Sequence, residues 1–188
     1  MERPEDFAIV IGISEYEELP ALRGSAADAE AFALWLADTE VGAGIPKGNI
    51  LLLVAQNDPK AGLAQLQNAF EEVYERHLDR PGRRLYVYAS GHGYSNEGVG
   101  TVLMAADASL EMAGRAIDLV AYADGYLDAE SFEEVALFAD GALLLSSRLV
   151  PITTPTKPEL QPAEYGGSKW NPSTPRAGAM RSEVRETS

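Results

Sequence analysis

His92 stands between two glycines at the end of a hydrophobic run, Arg83 to Tyr94 (RRLYVYASGHGY), and Asp140 closes a second run, ALFAD, just ahead of Gly141 and Ala142. Imidazole changes charge near neutral pH, so a histidine at a strand end is a candidate general base and acid. The flanking glycines predict a tight backbone turn that leaves the ring projecting from a sheet edge and lets a ligand approach closely. A solvated loop histidine is the competing reading. The group such a base would activate is not a thiol, because the chain has no cysteine. That absence also excludes a disulfide framework and thiolate metal sites, and it leaves the redox compartment open.

Other chemistry has less support. The second histidine, His77, lies in the charged stretch EEVYERHLDR and is expected at the surface near a helix C-terminus. Two histidines without thiols make a weak case for zinc. No GxxxxGK[ST] pattern or dinucleotide fingerprint follows the first strand, so no cofactor is implied. Glu15, Glu17 and Glu18 could guide basic peptides toward a cleft, but such runs are usually solvated faces. Trp35 is expected to pack within its helix.

The elements that must hold these residues alternate along the chain. FAIVIGI (7 to 13) is continuous and β-branched, as in a strand covered on both faces. GSAADAEAFALWLAD follows as a helix, with Ser25 as its cap and Asp28 in the place of a capping-box acid. NILLLV (49 to 54) reads as a second strand. Asp58-Pro59 opens a long helix, with Leu63, Leu66, Phe70, Val73, Tyr74 and Leu78 at three- and four-residue steps, and Pro81-Gly82 stops it. Leu85 to Ala89 is the third strand, and TVLMAA (101 to 106) is a candidate fourth. Asp128 is expected to cap a short helix, DAESFEEV, that feeds a last strand at Ala136 to Ala139. This order favours a mostly parallel sheet with helices on both faces. In such sheets ligands bind beyond the carboxyl ends of the strands, here at Ser14-Glu15, Ser90 to Gly93 and Asp140 to Ala142.

At 188 residues and 46% apolar content the chain can bury the core of one ordinary domain. Its net charge of −14 argues against nucleic acid and anionic membrane as partners and favours a basic one. Residues 151–188 hold six of the eleven prolines among many Ser, Thr and Gly, with five Lys or Arg against four Glu. The expectation is an ordered body, 1–150, followed by a flexible Pro-rich tail, 151–188. The start, MERPEDFAIVIGI, lacks a signal-peptide pattern, and no run approaches the roughly 18 to 20 apolar residues of a membrane span. A soluble cytoplasmic protein is the default.

In four blocks the chain resembles the caspase and metacaspase superfamily, especially its bacterial caspase-like members. These are FAIVIGISEYEELPALRGSAADAEAFALWL, LYVYASGHGYS, Val102 to Ala108 and FEEVALFAD, in the family's order over roughly residues 6 to 142. The resemblance implies an α/β fold, a three-layer caspase-like sandwich. It implies that His92 matches the catalytic histidine, that Gly93 matches the residue whose amide helps to form the oxyanion hole, and that Asp140 matches the acid lining a pocket for a basic side chain. The nucleophile position then falls on Ala142, which has no atom able to attack a carbonyl. It also implies further strand and helix after the nucleophile loop, where this chain passes into its proline-rich segment. An edge strand near 136 to 145 would then be open to pairing or be covered by the tail.

The favoured function is a catalytically silent caspase-like domain that acts as a binding or regulatory module in protease-linked signalling. Its partner would be a protein, such as an active caspase-like protease or a basic peptide segment. The alternative is an active endopeptidase or hydrolase with a non-cysteine nucleophile, Ser146 or Ser147. Those serines lie four or five residues past the expected position, roughly 13 to 17 Å along an extended chain. A degraded remnant without a specific partner is the third reading.

Overall fold

FAIVIGI forms the buried strand β1 (Asp6–Ile13), and its two faces feed two separate cores in the computed structural model, which describes residues 2–55, 61–96, 100–109 and 114–143. On one face Ala8 and Val10 pack with Ala29 and Leu36 of helix α1 (Ser25–Ala37) and with Tyr86. On the other face Ile9, Ile11 and Ile13 join Leu66, Phe70 and Val73 of helix α2 (Leu63–Arg76) and Tyr122 and Tyr126 of helix α3 (Leu119–Asp128). Full burial of each such large side chain is worth roughly 1.5 to 3 kcal/mol, so the strand's apolar composition on both sides is what anchors helices to both.

The sheet is mixed. β1 pairs in parallel with β2 (Ile50–Ala55) and with β3 (Gly82–Asn96), and β3 pairs in parallel with β6 (Phe132–Leu143). The connection from β3 to β4 (Gly100–Met104) spans only residues 97–99, too short for a crossover, so β4 returns antiparallel and β5 (Ala116–Asp118) continues that meander. Gly93 pairs with Leu143 of β6 and with Leu103 of β4. The two neighbours must lie on opposite edges of β3, so β4 takes over the edge that β1 occupies as far as Ser90.

Local departures from the sequence reading have tertiary causes. Ser25 does not cap α1. Gly24 holds that position at φ 103°, a left-handed conformation that suits glycine, and the cap comes from the end of β1, where the Ser14 hydroxyl accepts from the Ala26 N–H at 3.0 Å. α1 lies directly on the β1 backbone: a Cβ at Gly12 would sit 2.5 Å from the Ser25 carbonyl oxygen. The proposed start of α2 at Asp58-Pro59 falls outside the described residues. The helix begins after Gly62, with Asp107 accepting from the Leu63 N–H at 3.0 Å and pairing with Arg115. It ends at Arg76, before Pro81, and Gly82 already belongs to β3. DAESFEEV is not a helix. Asp118 caps α3 through the Val120 and Ala121 N–H groups, Asp128 ends it, and Phe132 to Val135 are strand. Trp35 is 43% exposed rather than packed inside, with its indole N–H on the Val41 carbonyl. The Pro-rich segment 151–188 lies outside the described residues.

His77 also departs from expectation. It is 4% exposed, its ring lying 4.1 Å from Phe7 and 4.4 Å from Phe132 between centroids, with Nδ1 2.6 Å from the Val73 carbonyl oxygen. Burial lowers its pKa and outweighs the opposing hydrogen bond.

Candidate functional site

His92 is a strand residue. β3 does not turn at the SGHG sequence but runs on to Asn96, and the imidazole is 4% exposed rather than projecting into solvent. The two glycines serve packing. A Cβ at Gly91 would come within 2.7 Å of the Tyr16 hydroxyl, and one at Gly93 within 2.7 Å of the Val102 carbonyl oxygen. Gly91 therefore admits the loop after β1, and Gly93 admits β4.

That loop is what orients the imidazole. The Ser14 and Glu15 N–H groups reach the Ala55 carbonyl, the Glu17 N–H reaches Ala106, and the Leu22 N–H closes back on Ser14 at 2.8 Å. Leu19 buries itself with Met104 and Ala108. Held in this way, Tyr16 sets its ring 4.7 Å from the imidazole centroid and accepts the His92 backbone N–H at 2.6 Å, while the Pro20 carbonyl lies 2.7 Å from Nε2. Burial pushes the Tyr16 hydroxyl well above its ordinary pKa, and the hydrogen bond from His92 only partly offsets this. Tyr16 is therefore a neutral phenol throughout the physiological range.

A carbonyl oxygen can only accept, so the contact with Pro20 requires the proton on Nε2. In the neutral ring Nδ1 then carries the lone pair. Nδ1 is buried and has no hydrogen-bond partner among the described residues. The ring is thus anchored at Nε2, with the lone pair of the neutral form left on the buried Nδ1.

Strand β6 delivers the remaining positions. Its register sets Ala142 beside His92, Gly141 beside Gly91 and Asp140 beside Ser90. Position 142 is thus the ladder neighbour of the imidazole-bearing residue, and alanine occupies it. Asp140 is exposed. Burial raises the pKa of Tyr88, the negative charges of Asp28 and Asp140 raise it further, and a hydrogen bond from Ser90 opposes them. Both carboxylates therefore act on the one hydroxyl that neighbours Ser90. Asp28, expected as a capping acid, is exposed at the start of α1 on this side of the sheet. Glu15, Glu17 and Glu18 face solvent. Ser146 and Ser147 lie outside the described residues.

Sequence reasoning had not singled out Tyr16 or Pro20, and it had read Asp28 only as a capping acid. No short motif marks them, since their roles arise from where the loop after β1 and the start of α1 fold back over β3. Among the described residues no group of three or more His, Asp or Glu is placed to hold a metal ion, and no helix is long and apolar enough to cross a membrane.

A search of curated proteins found no match. A family model described as the caspase domain matches residues 5–121. That span includes β1, the Tyr16 and Pro20 loop, α1, α2 and the strand bearing His92, and it stops before β6. It covers more than half of the chain, including His92 and the loop that packs on it, so the chain belongs to the caspase domain family.

Proposed function

We propose that this caspase domain is a catalytically silent binding module, one that holds a peptide segment against the His92 crevice without cutting it. The observation that carries the reading is the register pair His92 and Ala142: the base is oriented, and its ladder neighbour is a methyl-bearing residue in a chain without cysteine. Covalent peptide hydrolysis of the caspase type needs an attacking group within hydrogen-bond reach of the imidazole. Without it the loss is as much as about a millionfold in kcat, leaving only positioning and any oxyanion stabilisation from the Gly93 amide.

The ligand we assign to the crevice is a basic peptide segment, offered by a partner such as an active caspase-like protease. Asp28 and Asp140 both act on Tyr88 beside Ser90, and the chain as a whole carries −14. Two exposed carboxylates acting on the same hydroxyl favour an Arg or Lys side chain. The frame we propose for the site is the family's three-layer sandwich, which is supported by the packing of α1 on one face of β1 and of α2 and α3 on the other.

The test is a peptidase assay with Arg, Lys and Asp at the cleaved position, on the native protein and on an Ala142→Cys variant. The native chain is expected to be inactive, and the variant to be labelled by an electrophilic peptide in a His92-dependent manner. Turnover by the native protein that disappears in His92→Ala would overturn the proposal.

A further inference from the structure

The loop that orients His92 needs anchors of its own. Ser14 and Glu15 hang from the Ala55 carbonyl, but the part that touches the imidazole, from Tyr16 to Pro20, is held elsewhere. Its anchors are the Glu17 N–H on the Ala106 carbonyl at 3.0 Å and the burial of Leu19 against Met104 and Ala108. Both therefore rest on residues 104–108, where β4 ends.

That tract is a turn, closed by the Ala108 N–H on the Ala105 carbonyl at 2.9 Å. Its sequence, Ala-Ala-Asp-Ala, has neither glycine nor proline, so residue preference alone does not fix its geometry. Asp107 does. One carboxylate oxygen accepts the Leu63 N–H at the start of α2 at 3.0 Å, and the other pairs with Arg115, the residue before β5. The fit is close: a Cβ at Gly62 would come within 3.2 Å of Oδ2. The main chain beside it is tied to the same two places, the Ala106 N–H to the Ala61 carbonyl and the Ala105 N–H to the Arg115 carbonyl, each at 2.9 Å. The peptide between residues 106 and 107 is planar, so holding Asp107 fixes the direction of the Ala106 carbonyl, which is the acceptor for Glu17.

We infer that Asp107 is a positioning residue for His92: its clasp on Leu63 and Arg115 aims the Ala106 carbonyl at Glu17 and so sets Tyr16 and Pro20 against the imidazole. It acts wholly through that loop. The role concerns how the ring is held, and it is independent of the identity of residue 142 and of what the crevice binds. The Asp107 side chain is 17% exposed and that of Arg115 42%, so the clasp reaches solvent while the ring it serves is buried.

The test uses the full chain, isotope-labelled, and reads the ring nitrogens of His92 by NMR at a pH about two units above the ordinary histidine value of roughly 6.5, together with deuterium exchange at single amides. The native ring is expected as one tautomer, with its proton on Nε2. Asp107→Ala, which removes both partners, is expected to move both His92 ring signals toward the average of the two tautomers. It is also expected to speed exchange at the Glu17 N–H roughly tenfold or more, as loss of a hydrogen bond does. Asp107→Asn keeps an oxygen for Leu63 but no charge for Arg115 and is expected to fall between the native chain and Asp107→Ala, with Arg115→Met matching it. The Ser14 and Glu15 amides, which hang from Ala55, and the ring signals of His77 are expected to stay in place in every variant. Where Asp107→Ala does not fold, the two milder substitutions decide. Unchanged His92 signals and Glu17 exchange in the folded variants, or equal acceleration at Ser14, Glu15 and Glu17, would overturn the assignment.

Discussion

At the residue scale the decisive contrast is between the two histidines. Each is buried and each rests on a carbonyl, but through different ring nitrogens: Nδ1 of His77 on Val73 and Nε2 of His92 on Pro20. The first is locked into a core, and the second keeps a lone pair at Nδ1 without a partner among the described residues. Tyr16 is the residue that makes the second arrangement stable, since its hydroxyl accepts the buried His92 N–H. Tyr16→Phe is expected to leave that N–H without an acceptor and to cost about 1 to 3 kcal/mol in urea unfolding. The nitrogen NMR signals of the His92 ring should shift while those of His77 stay in place, an outcome that separates orientation of the imidazole from general destabilisation. The position of His92 at a candidate site was legible from SGHG. Its burial was not, because the residues that cover it come from a loop more than 70 positions earlier in the chain.

At the element scale, strands and helices with strong apolar patterning were legible: β1, β2, β3, β6, α1 and the body of α2. Missed or shifted elements had weak or ambiguous local signals. β5 has three residues, and α3 contains a glycine and competes with DAESFEEV for the role of helix, both stretches being preceded by an aspartate that could cap them. The outcome was set by packing, since Tyr122 and Tyr126 bury against Phe70 while Phe132 is needed beside His77 in the sheet. That last contact has a pH signature. The His77 pKa is lowered in the folded chain from its ordinary value of 6.5, so the unfolded chain binds the proton more readily. Above pH 6.5 both states are neutral and stability is insensitive to this group. As pH falls below 6.5 toward the folded value, stability should fall, and below the folded value the loss from this group levels off. Urea midpoints between pH 7.5 and 5 for the native chain and for His77→Phe are expected to diverge, the variant lacking this component of the slope; parallel slopes would contradict the assignment.

At the scale of the whole molecule, charge and topology act together. The net charge of −14 and the exposed carboxylates of Asp28 and Asp140 are what the proposed binding of a basic segment rests on. The alternation of strand and helix was enough to read an α/β sheet, but not its mixed character, because antiparallel return of β4 depends on a three-residue connection rather than on any property of the strand itself. Long-range register was likewise beyond composition: nothing local announces that Ala142 will sit beside His92, and only the shared run of β3 and β6 brings them level. The family match stops short of β6 and does not reach position 142.

Strand β3 is bonded to β1 and β6 along Arg84 to Ser90 and to β4 beyond Gly93, so it is the common member of three ladders. Amide protons on Leu85 to Ala89 are hidden beneath neighbours on both sides and beneath both cores. Successive amides donate alternately to β1 and to β6, so freeing all five requires both flanks to open. In deuterium exchange they should be the last to be replaced, at a rate that equals complete unfolding, which makes five consecutive backbone positions an internal gauge of how firmly the entire molecule is held.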